Sequence, residues 1–281
     1  MDEQDGPPMP RPIEWVIASR IPHRRRLQFL GKIGLGVAVL GAAKRLIHDL
    51  GWDVLGLSPL FLALLLSTVF LLLFVLSGVL ADYKESEKIP GKIASCLDSL
   101  RLELALIHHQ LPGEDGKCSQ AALAQLGQAV LDWLLDLIPC DQLRQEYEDC
   151  QKQVYLASLA LPAPSMLQGR LMQHLEVLLS LINRVEVIQN TSFVISVYWM
   201  AYLSTALVCL GLIFTQVTSA VESVFFMAVI SFVLLFLLHL IGDLDQPFGF
   251  RNEDSTEDVS LDALMLCLKR LHGTNSAGGV G

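Results

Sequence analysis

The segment that follows the last long apolar run of the sequence is rich in carboxylates. Six of them lie between residues 243 and 258, against a single cation, Arg251; they are Asp243, Asp245, Glu253, Asp254, Glu257 and Asp258. Dense oxygen ligands suit a hard cation such as Ca²⁺, although the spacing is not that of an EF-hand loop. Two interpretations follow: a calcium site and, favoured by composition alone, a solvated acidic linker.

A second pattern lies inside an uncharged segment, residues 54–81. Small, hydroxylated and aromatic residues recur there at steps of four and three, while the other positions are mostly Leu and Val; the six are Ala63, Ser67, Phe70, Phe74, Ser77 and Ala81. Such steps place side chains on one face of a helix. Small residues favour helix–helix packing in membranes, and the stripe by itself favours that interpretation. The alternative is a pore wall in which Phe70 and Phe74 form an apolar constriction that gates by dewetting.

Charges alternate directly after this segment, in "DYKESEKIPGKI". Such alternation usually marks the start of a solvated helix. If the preceding segment lines a pore, however, Lys84 and Lys88 lie one helical turn apart near its cytoplasmic mouth. There they would form a vestibule that attracts anions.

Composition narrows the class of protein. The 281 residues are 52% hydrophobic and 17% charged, with a net charge of -9 and a mean hydropathy of +0.48. This balance favours a membrane protein, and the negative charge argues against a nucleic-acid partner. The sequence contains no zinc-protease, serine-hydrolase, phosphate-loop or dinucleotide-binding motif, so an enzyme is not expected. The six cysteines include no C-x-x-C pair, which predicts reduced and mostly buried thiols.

Four apolar segments could cross a membrane. Three are free of charge and contain the roughly 20 apolar residues that a helix needs to span the hydrocarbon; they are residues 54–81, 187–221 and 223–242. The fourth begins at Phe29 and is interrupted by Lys32, Lys44 and Arg45, whose long side chains are expected to reach the membrane interface. An amphipathic helix lying on the membrane is the alternative for this segment.

Basic residues set the expected orientation. Arg24, Arg25 and Arg26 precede the first apolar segment, which predicts a cytoplasmic N-terminus, and four spans return the C-terminus to the same side. One helix is expected to run from Ser165 to Phe214 and to join the soluble region to the third span. The predicted organisation is a single domain: a cytosolic arm (1–28), a transmembrane hairpin (29–81), a cytosolic helical block (82–189), a second transmembrane hairpin (190–242) and an acidic cytosolic tail (243–281).

Two stretches of the sequence resemble the bestrophin superfamily of anion channels, in particular its shorter bestrophin-like branch. "LSGVLADYKESEKIPG" is similar to the end of that family's pore-lining second helix, and "DLDQPFGFRNEDSTEDVSLDAL" is similar to its segment built around Asn-Pro-Phe-Gly. The resemblance implies an all-α membrane protein with four transmembrane helices in two hairpins and a cytosolic helical block. It further implies a homopentamer, surrounded by membrane lipid, whose second helix lines a central pore for chloride or similar small anions.

The resemblance also bears on the acidic tail. In calcium-activated relatives the segment after the fourth span binds Ca²⁺, and Asp254, Glu257 and Asp258 would be the ligands here. Gln246 stands where that family has Asn, and Arg251 lies among the expected ligands. These departures favour a structural clasp, with or without calcium, formed by Asp243, Asp245, Gln246, Pro247, Phe248 and Gly249.

The family's tryptophan and arginine after its second helix have no obvious counterpart in "ADYKESEK". This departure bears on conduction itself. The alternative to a channel is therefore a non-conducting membrane scaffold or regulator that docks a partner through its cytosolic helices.

Overall fold

The fold is all-α. The structure, a computed structural model, describes residues 23–56, 58–110, 114–159, 166–190, 195–216, 219–248 and 259–277. In these residues the only pairing of strand type is an isolated bridge between Leu55 and Thr215, which confirms the predicted fold class. The helices are α1 (His23–Asp49), α2 (Pro59–Ser86), α3 (Ile89–Gln110), α4 (Glu114–Leu134), α5 (Cys140–Leu159), α6 (Met166–Asn190), α7 (Ile195–Phe214), α8 (Ala220–Leu244) and α9 (Asp262–Ala277).

Helices α1, α2, α7 and α8 form an apolar bundle. Three stretches contain helices long and apolar enough to cross a membrane, namely Pro59–His109, Met166–Phe214, of which residues 191–194 lie outside the description, and Val221–Leu244. Helices α2, α7 and α8 share a buried core formed by Leu72, Val75, Val79, Ala201, Val208, Leu212, Met227, Leu234, Leu238, Ile241 and Leu244. Many other large apolar side chains of these helices are exposed, as suits helices whose surroundings are hydrocarbon.

Helix α1 completes the bundle by packing on α8 and α7, but it is not among the three stretches above. Lys44, which the sequence predicted to extend to the membrane interface, is covered by this chain and is only 1% exposed. Its ammonium group donates to Asp53 Oδ1 at 3.0 Å, to the carbonyl of Ile213 at 3.1 Å and to the carbonyl of Thr215. The last carbonyls of a helix lack partners within it, so the end of α7 supplies acceptors for this buried cation.

The turns after α1 and after α7 meet at one end of the bundle. The Leu55 amide donates to Phe214 O at 3.0 Å, and the Gln216 amide donates to Leu55 O at 2.6 Å. His48 Nδ1 lies 2.6 Å from Asp53 Oδ2. The His48 hydrogen bond, and then Lys44, hold the pKa of Asp53 below its usual value although burial acts in the opposite direction. Asp53 therefore stays ionised and pairs with Lys44, which in turn binds the carbonyls at the end of α7.

Helices α3, α4, α5, α6 and α9 form a helical block with its own core. α5 packs on α4 and α6, while α9 packs on α3 and α4. α9 approaches α4 closely at Gly127, where an added Cβ would lie only 2.7 Å from Leu268 Cδ2 and would require this side chain to shift. Other members of this core include Leu97, Leu100, Leu123, Leu143, Val154, Leu178 and Leu264. The interpretation of the whole chain as one domain stays a prediction.

The bundle and the block are joined by α2 and α3, which are nearly continuous. Only Glu87 and Lys88 separate α2 from α3, and the Glu87 amide still donates to Tyr83 O at 2.9 Å. The Tyr83 side chain packs against both cores. The helix predicted over residues 165–214 is described over 166–190 and 195–214. The connection between α2 and α3 makes the block an extension of the bundle, and the continuity of α6 with α7 stays a prediction.

The cysteines behave as predicted. All six are free, and Cys96, Cys150, Cys209 and Cys267 are buried. Burial raises the pKa of Cys150 and of Cys267 to about 12. These two thiols are therefore protonated at neutral pH and serve as apolar core residues.

The substitution Asp53→Asn tests the joined turns. Removing one partner of a buried ion pair leaves an uncompensated charge, here Lys44, and such losses cost about 3–5 kcal/mol. We expect a lowered melting temperature in detergent at neutral pH. The depressed pKa of Asp53 means that its stabilisation is present above the ordinary aspartate pKa and is lost as pH falls through the lowered value. The variant should therefore approach the stability of the wild type in acid.

Arg45→Gln is the matched control. Arg45 and Asp49 form an ion pair of 3.3 Å on the same helix, but both side chains are more than half exposed, at 60% and 54%. Exposed pairs contribute about 0–1 kcal/mol, so this variant should melt close to the wild type. Equal melting temperatures for Asp53→Asn and Arg45→Gln would contradict the role of the buried pair.

Candidate pore helix and its cytosolic junction

The six stripe residues lie on the uncovered face of α2. The buried residues of this helix are Thr68, Leu72, Val75, Val79 and Ser86. At 3.6 residues per turn they face away from the stripe. Phe70 and Phe74 are 73% and 65% exposed, and the other four stripe residues are exposed as well: Ala63, Ser67, Ser77 and Ala81. No member of the stripe therefore packs into this chain's own core, and its role as a pore wall stays a prediction.

The start of α2 is fixed by a cap and by a close contact. Ser58 Oγ accepts a hydrogen bond of 3.2 Å from the Phe61 amide, and Pro59 occupies the first helical position, where its missing N–H is not needed. The Phe61 ring packs directly over Gly211 of α7, where any Cβ would collide with it. This contact holds the first turn of α2 against α7. With α8 packed along α2 as well, the orientation of the stripe is set by the opposite, buried face.

The charged end of α2 is solvent-exposed. Lys84 and Lys88, the predicted vestibule residues, are both exposed. Between them in sequence, the Glu85 carboxylate receives two hydrogen bonds from the Arg184 guanidinium of α6, Nε to Oε1 at 3.1 Å and Nη2 to Oε2 at 2.9 Å. The sequence carried no signal for this pair, since Arg184 lies 99 residues further along the chain.

The segment predicted as a clasp follows α8. The helix ends at Leu244, and the Asp245 amide donates to Ile241 O at 3.1 Å. The next residues change from exposed Gln246 to buried Pro247 and Phe248. Phe248 is 7% exposed and belongs to the core of the helical block. The segment thus leaves the bundle and enters the block within four residues of the helix end.

A backbone hydrogen bond closes the acidic stretch. The Val259 amide donates to Pro247 O at 3.1 Å, which brings together the two ends of residues 248–258. Asp243 and Asp245 lie half-buried at the end of α8, and Asp245 faces the Tyr198 hydroxyl of α7. Gly249 and the predicted calcium ligands Asp254, Glu257 and Asp258 lie outside the described residues. The clasp and its calcium site stay predictions.

No group of three or more His, Cys, Asp or Glu side chains in the described part of the chain could hold a metal ion.

One buried acid was missed by sequence reasoning. Glu103 of α3 is 4% exposed, and its Oε1 lies 2.6 Å from Arg170 Nη2 and 3.6 Å from His174 Nε2, both of α6. A buried carboxylate requires such charged partners, so this cluster joins α3 to α6.

The bundle of apolar helices and the helical block that α3 joins to it define the class: an integral membrane protein with a second helical core. Solved structures specify the fold further. A bacterial bestrophin homologue from Klebsiella pneumoniae superposes with a TM-score of 0.65 at 18% identity, over 89% of this chain and 98% of that chain. Two structures of such a homologue with single substitutions give TM-scores of 0.67 and 0.68, each at 17% identity and with the same coverage.

The protein therefore has a bestrophin-like fold. The predicted resemblance is confirmed at the level of the fold, over almost the full length of the bacterial homologue. No protein-family model matches the sequence, and no curated protein gives a significant sequence match.

Phe248→Ala tests how the clasp segment is anchored. Truncating a buried phenylalanine costs about 3–5 kcal/mol, so we expect a lower melting temperature. We also expect faster deuterium exchange of the Val259 amide, whose acceptor is the carbonyl just before Phe248. Leu266→Ala on α9 is the control, because Leu266 is 55% exposed and its loss should affect neither measurement. Unchanged Val259 exchange in Phe248→Ala would refute the anchoring role.

Proposed function

We propose that this protein is a pentameric ion channel that passes chloride or similar small anions through a central pore lined by α2. The observation that carries the proposal is the uncovered stripe. Its six residues are small, hydroxylated or aromatic, whereas most other positions of α2 up to residue 81 are Leu or Val, and none of the six is buried in the described core. Around a five-fold axis the same face of each subunit would meet at the centre, as expected for closed cyclic assemblies.

Phe70 and Phe74 would form the neck of this pore. They are four residues apart, one helical turn, and both rings are exposed. Five copies would stack two rings of aromatic side chains, an apolar constriction that closes by excluding water. Ser67 and Ser77 lie one step beyond the constriction on either side along the helix. Their hydroxyl groups would offer hydrogen-bond donors to a partly dehydrated anion.

The bundle supports a topology of two hairpins with both termini in the cytoplasm. The turns after α1 and α7 are hydrogen-bonded to each other, as expected if both lie on the side of the membrane opposite the helical block. Arg24, Arg25 and Arg26 at the start of α1 favour the cytoplasm for the other end. Lys84 and Lys88 would then stand at the cytoplasmic mouth and attract anions.

The acidic segment would act as a structural clasp between α8 and the helical block. The Pro247–Val259 hydrogen bond and the buried Phe248 ring support a closed loop fixed to the block. Asp254, Glu257 and Asp258 are the residues that would hold a calcium ion, whose contribution would be to neutralise their charge and hold the loop.

A non-conducting scaffold is the alternative, and one observation favours it. Leu102 and Leu106 lie one turn apart on α3 and are 55% and 57% exposed. In a soluble region such neighbouring apolar side chains indicate a covered surface. Either a partner protein or a neighbouring subunit would cover this surface. A partner protein would favour the scaffold, whereas a neighbouring subunit is compatible with both functions.

Anion flux from liposomes tests the channel. We expect chloride efflux from vesicles that contain the purified protein, and faster efflux with Phe70→Ala plus Phe74→Ala, because removing both rings widens and wets the constriction. Leu62→Ala plus Leu66→Ala is the control: it removes exposed apolar side chains of α2 that lie outside the stripe, and should leave efflux unchanged.

Two outcomes would reject the proposal. One is the absence of flux from both the wild type and the phenylalanine double variant. The other is a native mass of a monomer or dimer, since neither can enclose a central pore.

A further inference from the structure

The junction between α2 and α3 carries no net charge of its own. Residues 82–92 hold three carboxylates and three ammonium groups, and all six side chains are exposed: Asp82, Glu85, Glu87, Lys84, Lys88 and Lys92. Two exposed lysines at the mouth therefore do not by themselves produce a positive potential there. A positive excess has to come from another element.

Arg184 of α6 supplies that excess. Its guanidinium binds the Glu85 carboxylate through two hydrogen bonds in the planar fork geometry that Arg shares with carboxylates. The pair converts the balanced junction into one with a single positive charge in excess. Because the ion pair is bidentate, it also orients the Glu85 carboxylate towards α6.

Glu85 is the carboxylate for which this neutralisation matters most. It follows Ala81, the end of the stripe, by four residues, and Lys88 and Lys92 follow at steps of three and four. Glu85 therefore lies on the stripe face of α2, whereas Lys88 lies in the turn that follows α2 and Lys92 lies in the first turn of α3. Asp82 and Glu87 fall on other faces of the helix. An anion approaching the stripe would therefore meet Glu85 next to the lysines.

We propose that Arg184 is a specificity-determining residue: by pairing with Glu85 it leaves the cytoplasmic mouth of the pore positively charged and so favours anions over cations. This inference rests on the proposed channel function. Stability does not explain the pair, because Arg184 and Glu85 are 46% and 48% exposed, and exposed pairs contribute about 0–1 kcal/mol. For the same reason its variants are expected to fold.

The test is the chloride-to-sodium permeability ratio, obtained from reversal potentials across bilayers with a NaCl gradient. Measurements at about 0.05 M salt keep screening weak, since the Debye length shortens as salt rises. Arg184→Gln removes the excess charge and should lower the ratio by about twofold or more, the effect of one unit charge at about 10 Å in water. Glu85→Gln adds to the excess and should raise the ratio.

The double variant separates charge from structure. Arg184→Gln plus Glu85→Gln restores the net charge of the wild type without restoring the ion pair, so the ratio should return to the wild-type value. Arg144→Gln is the matched control, because Arg144 binds Glu186 through a hydrogen bond of 2.6 Å between α5 and α6. It removes the same type of residue from the same type of pair, away from α2, and should leave the ratio unchanged.

Each result has a distinct meaning. Conduction with an unchanged ratio in Arg184→Gln, or a ratio that stays low in the double variant, overturns the assignment of Arg184 and leaves the channel proposal intact. Absence of flux in the wild type and in the Phe70→Ala plus Phe74→Ala variant rejects the channel itself, and this inference with it.

Discussion

Among the described residues, helix α2 is packed on one side only, and the rest of the structure depends on this constraint. Thr68, Leu72, Val75 and Val79 are buried against α7 and α8. The cap at Ser58 and the contact of Phe61 with Gly211 prevent the helix from rotating at its start. With its buried face fixed in this way, α2 cannot bury the stripe without losing its core. The stripe is therefore available only to lipid, to another subunit or to water.

The two ends of the bundle are held by different physical means. At the end with the short turns, most polar groups have partners. Lys44 pairs with Asp53, and the backbone of Leu55 is hydrogen-bonded to Phe214 and Gln216. At the other end, α2 continues into α3, and Phe248 carries the chain from α8 into the core of the block. A rearrangement of the block would therefore be transmitted to α2 through its own backbone, and the Glu85–Arg184 pair lies at that junction.

The features that the sequence predicted are those encoded by periodicity and composition. Uncharged runs identified α2, α7 and α8, and the steps of four and three placed all six stripe residues on one exposed face. The residues that were missed or misplaced depend on long-range contacts. The burial of Lys44 was not predicted, because nothing nearby in sequence reveals the carbonyls at the end of α7 that bind it. Arg184 and Glu103 likewise become meaningful only when α6 packs beside α2 and α3.

The central claim is that the stripe of α2 faces a water-filled pore, and cysteine accessibility measures this directly. In a background with Cys118→Ser, which removes the exposed native thiol, single cysteines would be placed at Ser77 on the stripe and at Leu80, an exposed position on another face. A charged, water-soluble thiol reagent would then be applied during flux. The account predicts rapid modification and altered flux for Ser77→Cys and no reaction for Leu80→Cys. Equal reactivity at both positions, or reaction at Leu80→Cys alone, would contradict it.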